Sequence, residues 1–431
     1  MKNKIKYLKN CKICGNHDLQ KVLTLDEQYL SPTFVKTNKQ NELAKIKSHL
    51  TLVLCSKQKN KKNCGLLQLK EITEPDLLYK QYFYRTATND TMKKDLRELV
   101  NQLLDIVKPH DGNIVVDIGS NDCTMLNFYD RKYNLVGFEP AKNIKFIDNG
   151  KNIKIINNYF NLKNFNENFQ AKKATIVTSC AMFYDLENPL EFASDIKEIL
   201  ADDGVWCCQI SYLDSMIRNN NFYDICHEHL SYYSLETFEF LLEKLGLKLF
   251  YAETNSVNGG SIRLYVCKKK SNKYEREEYK KHLEFLRSKE KNLKLTNIET
   301  YKNFEKTVNE LKTKTVEFVS NIVKKKKKVL ALGASTKGNI ILQHFGLTKE
   351  IIPFISERNP EKVGLKCLGS DIELISEKRA REINPEAFIV LPWNFKAEII
   401  EREKEYIEKG GKLMFVMPFP HVVTNKGEIK L

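Results

Sequence analysis

Two of the chain's eight histidines flank a carboxylate in the run Cys226-His227-Glu228-His229. The unperturbed pKa of imidazole lies nearer to neutrality than that of other side chains, so this run is suited to moving a proton. Two other interpretations stay open. The histidines could cap buried carbonyl groups, or, in an extended run, His227 and His229 would project to one side and could grip a metal ion.

A nucleotide-type motif precedes this run. NIVVDIGSNDCTML predicts a strand, a tight turn and a helix start, and the next strand, NLVGFEP, ends in an acid. Glycine lets the backbone approach a ligand, and an acid at the tip of the second strand accepts ribose hydroxyls. Because the turn has a single glycine, the pattern favours S-adenosylmethionine over a dinucleotide, with a generic turn as the alternative. The candidate cofactor residues are Asp117, Gly119, Asn121, Glu139 and Cys180.

Four of the eleven cysteines form a separate set, Cys11, Cys14, Cys55 and Cys64. A Cys-x2-Cys pair at a tight turn can bind a tetrahedral ion from one knuckle, and the second pair is looser, with a lysine-rich loop inside it. We expect a closed structural Zn²⁺ site with four thiolate ligands and no zinc chemistry. Four free thiols, or a redox pair, are the alternatives.

A second strand–turn–helix unit, KKVLALGASTKGNIILQHF, begins the last hundred residues. Backbone amides at a helix N-terminus beside a lysine make a ready anion site, although the Walker A spacing is missing. The strands IIPFISE, EAFIVLPW and KLMFVMP follow, and open α/β sheets bind ligands just after strand ends. We expect a diphosphate site here, with a structural turn as the alternative. Its candidate residues are Ser335, Lys337, Glu357, Arg358 and Trp393.

The elements that must position these residues alternate between strand and helix, and a final hairpin follows the helix SLETFEFLLEKLGL. This order is typical of a class I methyltransferase domain, an α/β fold with a mostly parallel sheet and one antiparallel strand near the edge. The predicted domains are a zinc-binding module (1–72), an S-adenosylmethionine-binding domain (73–270), a helical connector (271–328) and a C-terminal Rossmann-like α/β substrate-binding domain (329–431).

Composition limits the partners. At 431 residues with 42% hydrophobic side chains, the chain is long enough for two or three globular domains. No apolar run is long enough to span a membrane and no secretion signal is recognisable, so we expect no membrane partner and a cytoplasmic location. The net charge of +15 is mostly scattered lysine. We therefore favour solvated lysine faces over a polyanion-binding surface, and expect no nucleic-acid partner. The sequence carries no signal for oligomeric state.

Four ordered segments together resemble the NDP-sugar C-methyltransferases over nearly the full length. They are the Cys-x2-Cys module ending in CGLLQL, the IGSND turn with Glu139, HEHLSYYS with NGGSIR, and GASTKGN with SERNPEKVGL and LPWNF. The resemblance implies an enzyme that uses S-adenosylmethionine to methylate a nucleotide-linked sugar carbon beside a ketone. A base removes the acidic C–H, and the resulting enolate attacks the sulfonium methyl. A sugar O-methyltransferase, and less favoured an RNA-binding methyltransferase, are the alternatives.

The resemblance also implies roles for single residues. His229 would be the base, Glu228 would orient it or contact the substrate, and Tyr84, with Tyr82 as its rival, would donate a supporting hydroxyl. The C-terminal segments would hold the nucleotide and its phosphates. Further substrate contacts are expected at Tyr184, Cys226, Asn258 and Arg263.

The chain also departs from its relatives. Cys226 replaces a common tyrosine, Tyr184 a histidine, Cys123 a glycine and Gln209 an acid. We expect the losses at 226 and 184 to alter the substrate or the stabilisation of the developing oxyanion, and not to abolish methyl transfer.

Overall fold

The computed structural model describes residues 4–36, 45–79, 84–170 and 172–431. Its N-terminal part contains a four-stranded antiparallel sheet of order β12-β5-β4-β2 and a two-stranded sheet of β1 and β6. The strand β12 (Ser231–Tyr232) comes from a later part of the chain. The elements of this part are β1 (Ile5–Tyr7), β2 (Gln20–Tyr29), β3 (Phe34–Val35), β4 (Lys47–Leu54), β5 (Leu67–Leu69), β6 (Glu71–Thr73) and α1 (Pro75–Tyr79).

The central part is a seven-stranded sheet of order β13-β14-β11-β10-β7-β8-β9. Only β14 runs antiparallel to its neighbours, so the other strands end at a common edge. This confirms the predicted class I methyltransferase arrangement. Its elements are α2 (Asp90–Val107), β7 (Ile114–Ile118), β8 (Asn134–Phe138), β9 (Lys154–Ile156), α3 (Leu162–Phe169), β10 (Ala174–Cys180), α4 (Pro189–Ile199), β11 (Leu200–Ser211), α5 (Leu213–Arg218), β12 (Ser231–Tyr232), α6 (Leu235–Leu245), β13 (Leu247–Asn255) and β14 (Ser261–Lys268).

Two local predictions for this part are wrong. The turn after β7 is followed by a short 3-10 turn at Leu126–Phe128 and not by a helix, because Asn121 and Cys123 have φ of 48° and 68°. Positive φ interrupts right-handed helical geometry. The spacing of Leu96, Leu99 and Leu103 predicts a helix over 72–108, but the structure has two separate helices there, α1 and α2. α2 begins at Asp90, because Asn89 is extended and its side chain accepts the Met92 N–H as an N-cap.

Two helices, α7 (Glu277–Leu293) and α8 (Ile298–Lys324), follow the central sheet. A nine-stranded sheet then has the order β22-β21-β20-β19-β15-β16-β18-β17-β3, with five parallel strands, β20 to β18, at its centre. Its remaining elements are β15 (Val329–Leu332), α9 (Thr336–Phe345), β16 (Phe354–Glu357), β17 (Lys366–Cys367), β18 (Glu373–Ser376), α10 (Glu377–Ile383), β19 (Ala387–Val390), α11 (Lys396–Arg402), α12 (Lys404–Glu408), β20 (Lys412–Phe415), β21 (His421–Thr424) and β22 (Gly427–Lys430).

Two short strands join these parts. β3 of the N-terminal part pairs with β17, placing Phe34 opposite Cys367. β12, directly after the His-Glu-His run, pairs with β5, placing Tyr232 opposite Leu67. Two sheets therefore contain strands from both sides of a predicted domain boundary. In the described part of the chain, no helix is both long enough and apolar enough to cross a membrane.

Candidate active site

A cavity of about 630 Å³ lies between the N-terminal part, the carboxyl edge of the seven-stranded sheet and the start of α9. Its wall brings together twelve of the residues predicted from the sequence. They are Tyr84, Asp117, Gly119, Asn121, Glu139, Cys180, Tyr184, Glu228, His229, Asn258, Ser335 and Lys337.

One half of the cavity follows the ends of β7 and β8. Glu139 accepts the Asn121 N–H at 2.9 Å on one carboxylate oxygen and the Ala141 N–H at 2.8 Å on the other, which fixes the carboxylate at the strand tip. Burial raises the pKa of Glu139, and these two hydrogen bonds oppose the shift. Each carboxylate oxygen keeps a lone pair, as an acceptor for ribose hydroxyls requires.

The turn after β7 also fits a nucleoside. Gly119 has a φ of +75°, and a Cβ added there would lie 3.3 Å from Met182 Cγ. A side chain at this position would be strained and would crowd Met182, whereas glycine fits and leaves its backbone on the cavity wall. Burial raises the pKa of Asp117 to about 7, opposed by a 2.8 Å hydrogen bond from Thr178 Oγ1.

A strip of chain before α2 is tied to this turn. Asn121 Oδ1 accepts the Thr86 N–H at 3.1 Å, and Asn121 Nδ2 donates to the Tyr84 carbonyl at 3.3 Å. The Ala87 N–H donates to Asp122 at 2.8 Å. These bonds hold Tyr84 on the cavity wall, whereas its predicted rival, Tyr82, lies outside the described residues.

The His-Glu-His run forms the other half of the cavity. The His229 ring lies 4.3 Å from the Tyr184 ring, measured between centroids, at 57°. Burial first, and then the nearby Lys337 ammonium, hold the pKa of His229 well below its usual value. The imidazole is therefore neutral near pH 7 and can accept a proton. Burial raises the pKa of Glu228 to about 7, opposed by Thr336 and Lys337.

The His227 side chain contacts Ser31 and does not face the cavity. Its Nδ1 accepts the Ser31 N–H at 3.3 Å and lies 3.2 Å from Ser31 Oγ, and burial lowers its pKa to about 4. His227 lies outside the cavity lining. Across the described ranges, only the four cysteines form a group of three or more potential ligands close enough to hold a metal, so the His-x-His metal interpretation finds no support.

The start of α9 closes the cavity on the side of the nine-stranded sheet. Ser335 caps this helix by accepting the Gly338 N–H at 3.0 Å. Lys337 Nζ donates to the buried Asp224 at 2.5 Å and lies 5.3 Å above the Tyr223 ring. A helix N-terminus next to an ammonium is chemically suited to an anion such as a phosphate.

The four predicted zinc ligands come together in the N-terminal part. The Sγ atoms of Cys11, Cys14, Cys55 and Cys64 all lie within 4.8 Å of one another. A tetrahedral Zn²⁺ site with bonds of about 2.3 Å separates its sulfurs by roughly 3.8 Å, so this donor set fits zinc. Hydrogen bonds among the four thiols lower the pKa of Cys11 and of Cys55, which favours the thiolate that a metal requires at these two positions, and raise the pKa of Cys14 and of Cys64.

Family models match three successive segments of the chain. A zinc binding domain matches residues 11–79, a methyltransferase domain residues 89–252, and a C-methyltransferase C-terminal domain residues 256–420. These three matches confirm the predicted resemblance to the C-methyltransferases. The chain is an S-adenosylmethionine-dependent methyltransferase with a zinc module, so the predicted fold class, enzyme class and cofactors are confirmed as well.

The chain matches one curated relative over nearly its full length. This chain is 27% identical to C-methyltransferase NovU of Streptomyces niveus over 426 residues, which is 98% of this chain and 99% of the relative. Solved methyltransferase structures match 41% to 42% of this chain. One is an S-adenosylmethionine-dependent methyltransferase of Clostridium acetobutylicum (11% identity, TM-score 0.33, 42% of this chain and 93% of that chain). Another is the plantazolicin methyltransferase BpumL with SAH (16%, 0.31, 41% and 84%).

Two predicted substrate residues of the methyltransferase, Cys226 and Arg263, lie outside the cavity lining. Cys226 is fully buried in an apolar cluster with Leu67 and Tyr232, and this burial raises the pKa of its thiol. Arg263 donates to Asp95 at 2.5 Å, to Gln209 at 2.6 Å and to Glu253 at 3.0 Å. Because its guanidinium bonds to these three side chains, Arg263 stabilises the fold and does not line the cavity.

Three predicted nucleotide contacts are also outside the cavity lining, namely Glu357, Arg358 and Trp393. Glu357 accepts the Ala334 and Asn359 N–H groups at 3.0 and 2.8 Å, so it shapes the turn that carries α9. Arg358 is exposed and pairs with Glu398 at 3.2 Å. Asn394 and Phe395, the two residues that follow Trp393, line the cavity instead of Trp393.

Other cavity residues have no counterpart in the sequence predictions. Lys362 Nζ donates to the Ala334 carbonyl at 3.0 Å and lies 4.8 Å above the Phe34 ring. Tyr223 donates its hydroxyl to Asn394 at 3.0 Å. Lys362 lies in the loop SERNPEKVGL, and no local sequence pattern distinguishes it from the many solvent-facing lysines of the chain.

Proposed function

We propose that this C-methyltransferase methylates the carbon beside a ketone in an NDP-linked keto-deoxysugar, with His229 as the base. The observation that carries the proposal is the continuity of the cavity. It joins the Gly119 turn to His229 and to the α9 N-terminus with Lys337, so a cofactor, a reacting carbon and an anionic group could be bound at once.

Different residues of the cavity would bind the cofactor and the diphosphate. When bound, S-adenosylmethionine supplies the electrophilic sulfonium methyl group. Glu139 and the Gly119 turn would hold its ribose end, and Asp117, Asn121 and Cys180 line the same half of the cavity. The amides of α9, Ser335 and the lysines Lys337 and Lys362 would bind the diphosphate.

The proton transfer belongs to His229. Its imidazole is neutral near pH 7, because burial and Lys337 lower its pKa. It takes the proton of the C–H beside the ketone, and the bonding electrons move onto the carbonyl oxygen to give an enolate. Tyr184 packs on the imidazole, and Glu228, Tyr84 and Asn258 line the same cavity, where Glu228 would contact the substrate.

The variant His229→Ala tests the base. We expect kcat to fall by at least about 10²-fold, the usual contribution of a general base, with the Kd for S-adenosylhomocysteine unchanged. The matched control is His110→Ala, which removes an exposed histidine remote from the cavity lining and should leave kcat unchanged. Wild-type turnover in His229→Ala would refute the assignment.

An NDP-keto-sugar deuterated beside the ketone separates carbon from oxygen methylation. Carbon methylation at that position must release the deuterium, so mass spectrometry of the product should show an unlabelled carbon. Retention of deuterium at every candidate carbon would contradict the proposal and support methylation of a sugar hydroxyl, for which nearly the same residues would serve.

A further inference from the structure

Asp185 is a carboxyl of the cavity that the roles given so far do not use. It ends the 3-10 turn Phe183–Asp185, which begins three residues after the last residue of β10. It is the sequence neighbour of Tyr184, whose ring packs on His229. Asp185 lines the cavity and is partly accessible through it. It therefore lies on the wall that also presents the proposed base.

The surroundings of Asp185 place it in the substrate half. Its Oδ1 is shielded from water and has no hydrogen-bond partner among the described residues. The charged groups that act on the carboxyl are Glu228 and Lys337, and the Tyr79 hydroxyl bonds to it. Burial, followed by repulsion from Glu228, raises the pKa of Asp185 well above its usual value, and the Tyr79 hydrogen bond and the Lys337 ammonium oppose this shift without cancelling it. An ionised carboxylate with an unpartnered buried oxygen is costly, so the neutral acid is favoured.

A neutral acid matches a demand of the proposed reaction. Removing the proton beside a ketone places negative charge on the carbonyl oxygen, and a donor aimed at that oxygen stabilises the enolate. A carboxylic acid in an apolar, like-charged site keeps its proton and can serve as this donor. Lys337 is ion-paired with Asp224 at 2.5 Å and serves the proposed diphosphate site, and Cys226 is buried outside the cavity lining, so neither side chain is the donor to the carbonyl oxygen.

We propose that Asp185 is a catalytic residue that donates a hydrogen bond from its protonated carboxyl to the substrate carbonyl oxygen as that oxygen becomes negative. This role rests on the proposed function. Asp185 keeps its proton throughout. The C–H proton goes to His229 and its electron pair to the oxygen. The enolate carbon then takes the methyl group, the S–CH₃ bonding electrons stay on sulfur, and the ketone re-forms.

The test compares a truncation with a conservative replacement. Asp185→Ala removes the donor, and we expect kcat to fall by about 10²-fold with KM for the nucleotide-sugar within about three-fold. Asp185→Asn keeps a neutral donor of the same shape, and kcat should stay within about ten-fold of wild type. Asp105→Ala, which removes an exposed carboxylate of α2, is the matched control and should be unchanged. Wild-type kcat in Asp185→Ala, or equal losses in both Asp185 variants, would overturn the role.

A second measurement isolates the enolate. In D₂O with S-adenosylhomocysteine in place of S-adenosylmethionine, wild-type enzyme should exchange the proton beside the ketone. Asp185→Ala should slow this exchange as much as it slows turnover, and an unaffected exchange would overturn the role. Calorimetric binding of S-adenosylhomocysteine shows that each variant is folded, and Asp185→Ser replaces Asp185→Ala if the latter fails to bind it. If wild-type enzyme neither exchanges nor releases deuterium, the proposed carbon methylation itself is wrong.

Discussion

At the scale of single residues, burial of the Glu228 carboxyl makes the stability of the folded state depend on pH. Burial raises its pKa from 4.5 to about 7, and only Thr336 and Lys337 oppose the shift. The folded protein therefore binds a proton that the unfolded chain releases between these two pH values. The stability of the folded state falls as pH rises through this window, by about 3 kcal/mol in total, and stays low above it.

The variant Glu228→Gln tests this linkage. Glutamine is neutral at every pH, so the free energy of unfolding of Glu228→Gln, relative to wild type, should increase from pH 4.5 to 7 and then level off. Urea unfolding of the ligand-free protein at pH 5, 6, 7 and 8 measures the difference. Glu408→Gln, at an exposed carboxylate, is the control and should give a difference that does not change with pH. A constant difference for Glu228→Gln would contradict the prediction.

Residue types and spacing predict much of the site when the chemistry is local. The zinc cysteines, Gly119 with Glu139, and His229 each belong to a short pattern with one physical use, and the structure brings them into a metal cluster or onto one cavity. Arg263 and Cys226 show the limit. Whether such a side chain faces a ligand or a neighbour depends on partners distant in sequence, here Asp95 for Arg263.

At the scale of elements, the loop between β2 and β3 holds the His-Glu-His run against α9. Ser31 is fully buried, and its N–H and hydroxyl both contact His227 Nδ1. Its carbonyl accepts from Asn339 of α9 at 3.2 Å. The loop contributes Pro32 to the cavity wall, and β3 contributes Phe34. One residue of the zinc module therefore links the proposed base segment to the proposed phosphate-binding helix.

Ser31→Ala should loosen this link. Loss of one buried hydrogen bond should lower the free energy of unfolding by about 1 kcal/mol. Because His229 follows His227 closely, a small displacement should also lower kcat, by roughly ten-fold. Ser370→Ala is a matched control, since this buried hydroxyl has no partner among the described residues and its removal should change neither quantity. Equal effects of the two substitutions would rule out a special role for Ser31.

The sequence predicts long elements well and short connecting ones poorly. β7, β8 and α6 have strong apolar patterns and sharp ends, and all three are found where expected. β3 and β12 have two residues each, which is too short for any periodicity, and they pair with strands far away in sequence. The turn after β7 has positive φ at Asn121 and Cys123 and does not lead into a helix, while the Gly119 and Ser120 N–H groups donate to the Phe138 carbonyl of β8. These hydrogen bonds join residues distant in sequence, so no local pattern predicts them.

At the scale of the whole molecule, the zinc cluster and the methyltransferase sheet share one apolar core. Cys11, Cys55 and Cys64 belong to the same buried cluster as Trp206 and Phe183 of the central part. β5, which follows Cys64, pairs with β12 directly after His229. Zinc binding should therefore stabilise both the N-terminal module and the segment that carries the proposed base.

Removing the metal should lower stability and activity together. Cys14→Ala should reduce the zinc content, measured by elemental analysis, and lower Tm by roughly 5 to 10 °C, because the ligand set and its shared core are lost together. The kcat should fall as well, because β12 loses the rigid partner that holds the His-Glu-His run. Cys267→Ala removes a buried thiol remote from the cluster and should keep full zinc content, with a smaller change in Tm. Since only Cys14→Ala removes a ligand, normal kcat in a zinc-depleted Cys14→Ala enzyme would mean that the module does not position the base.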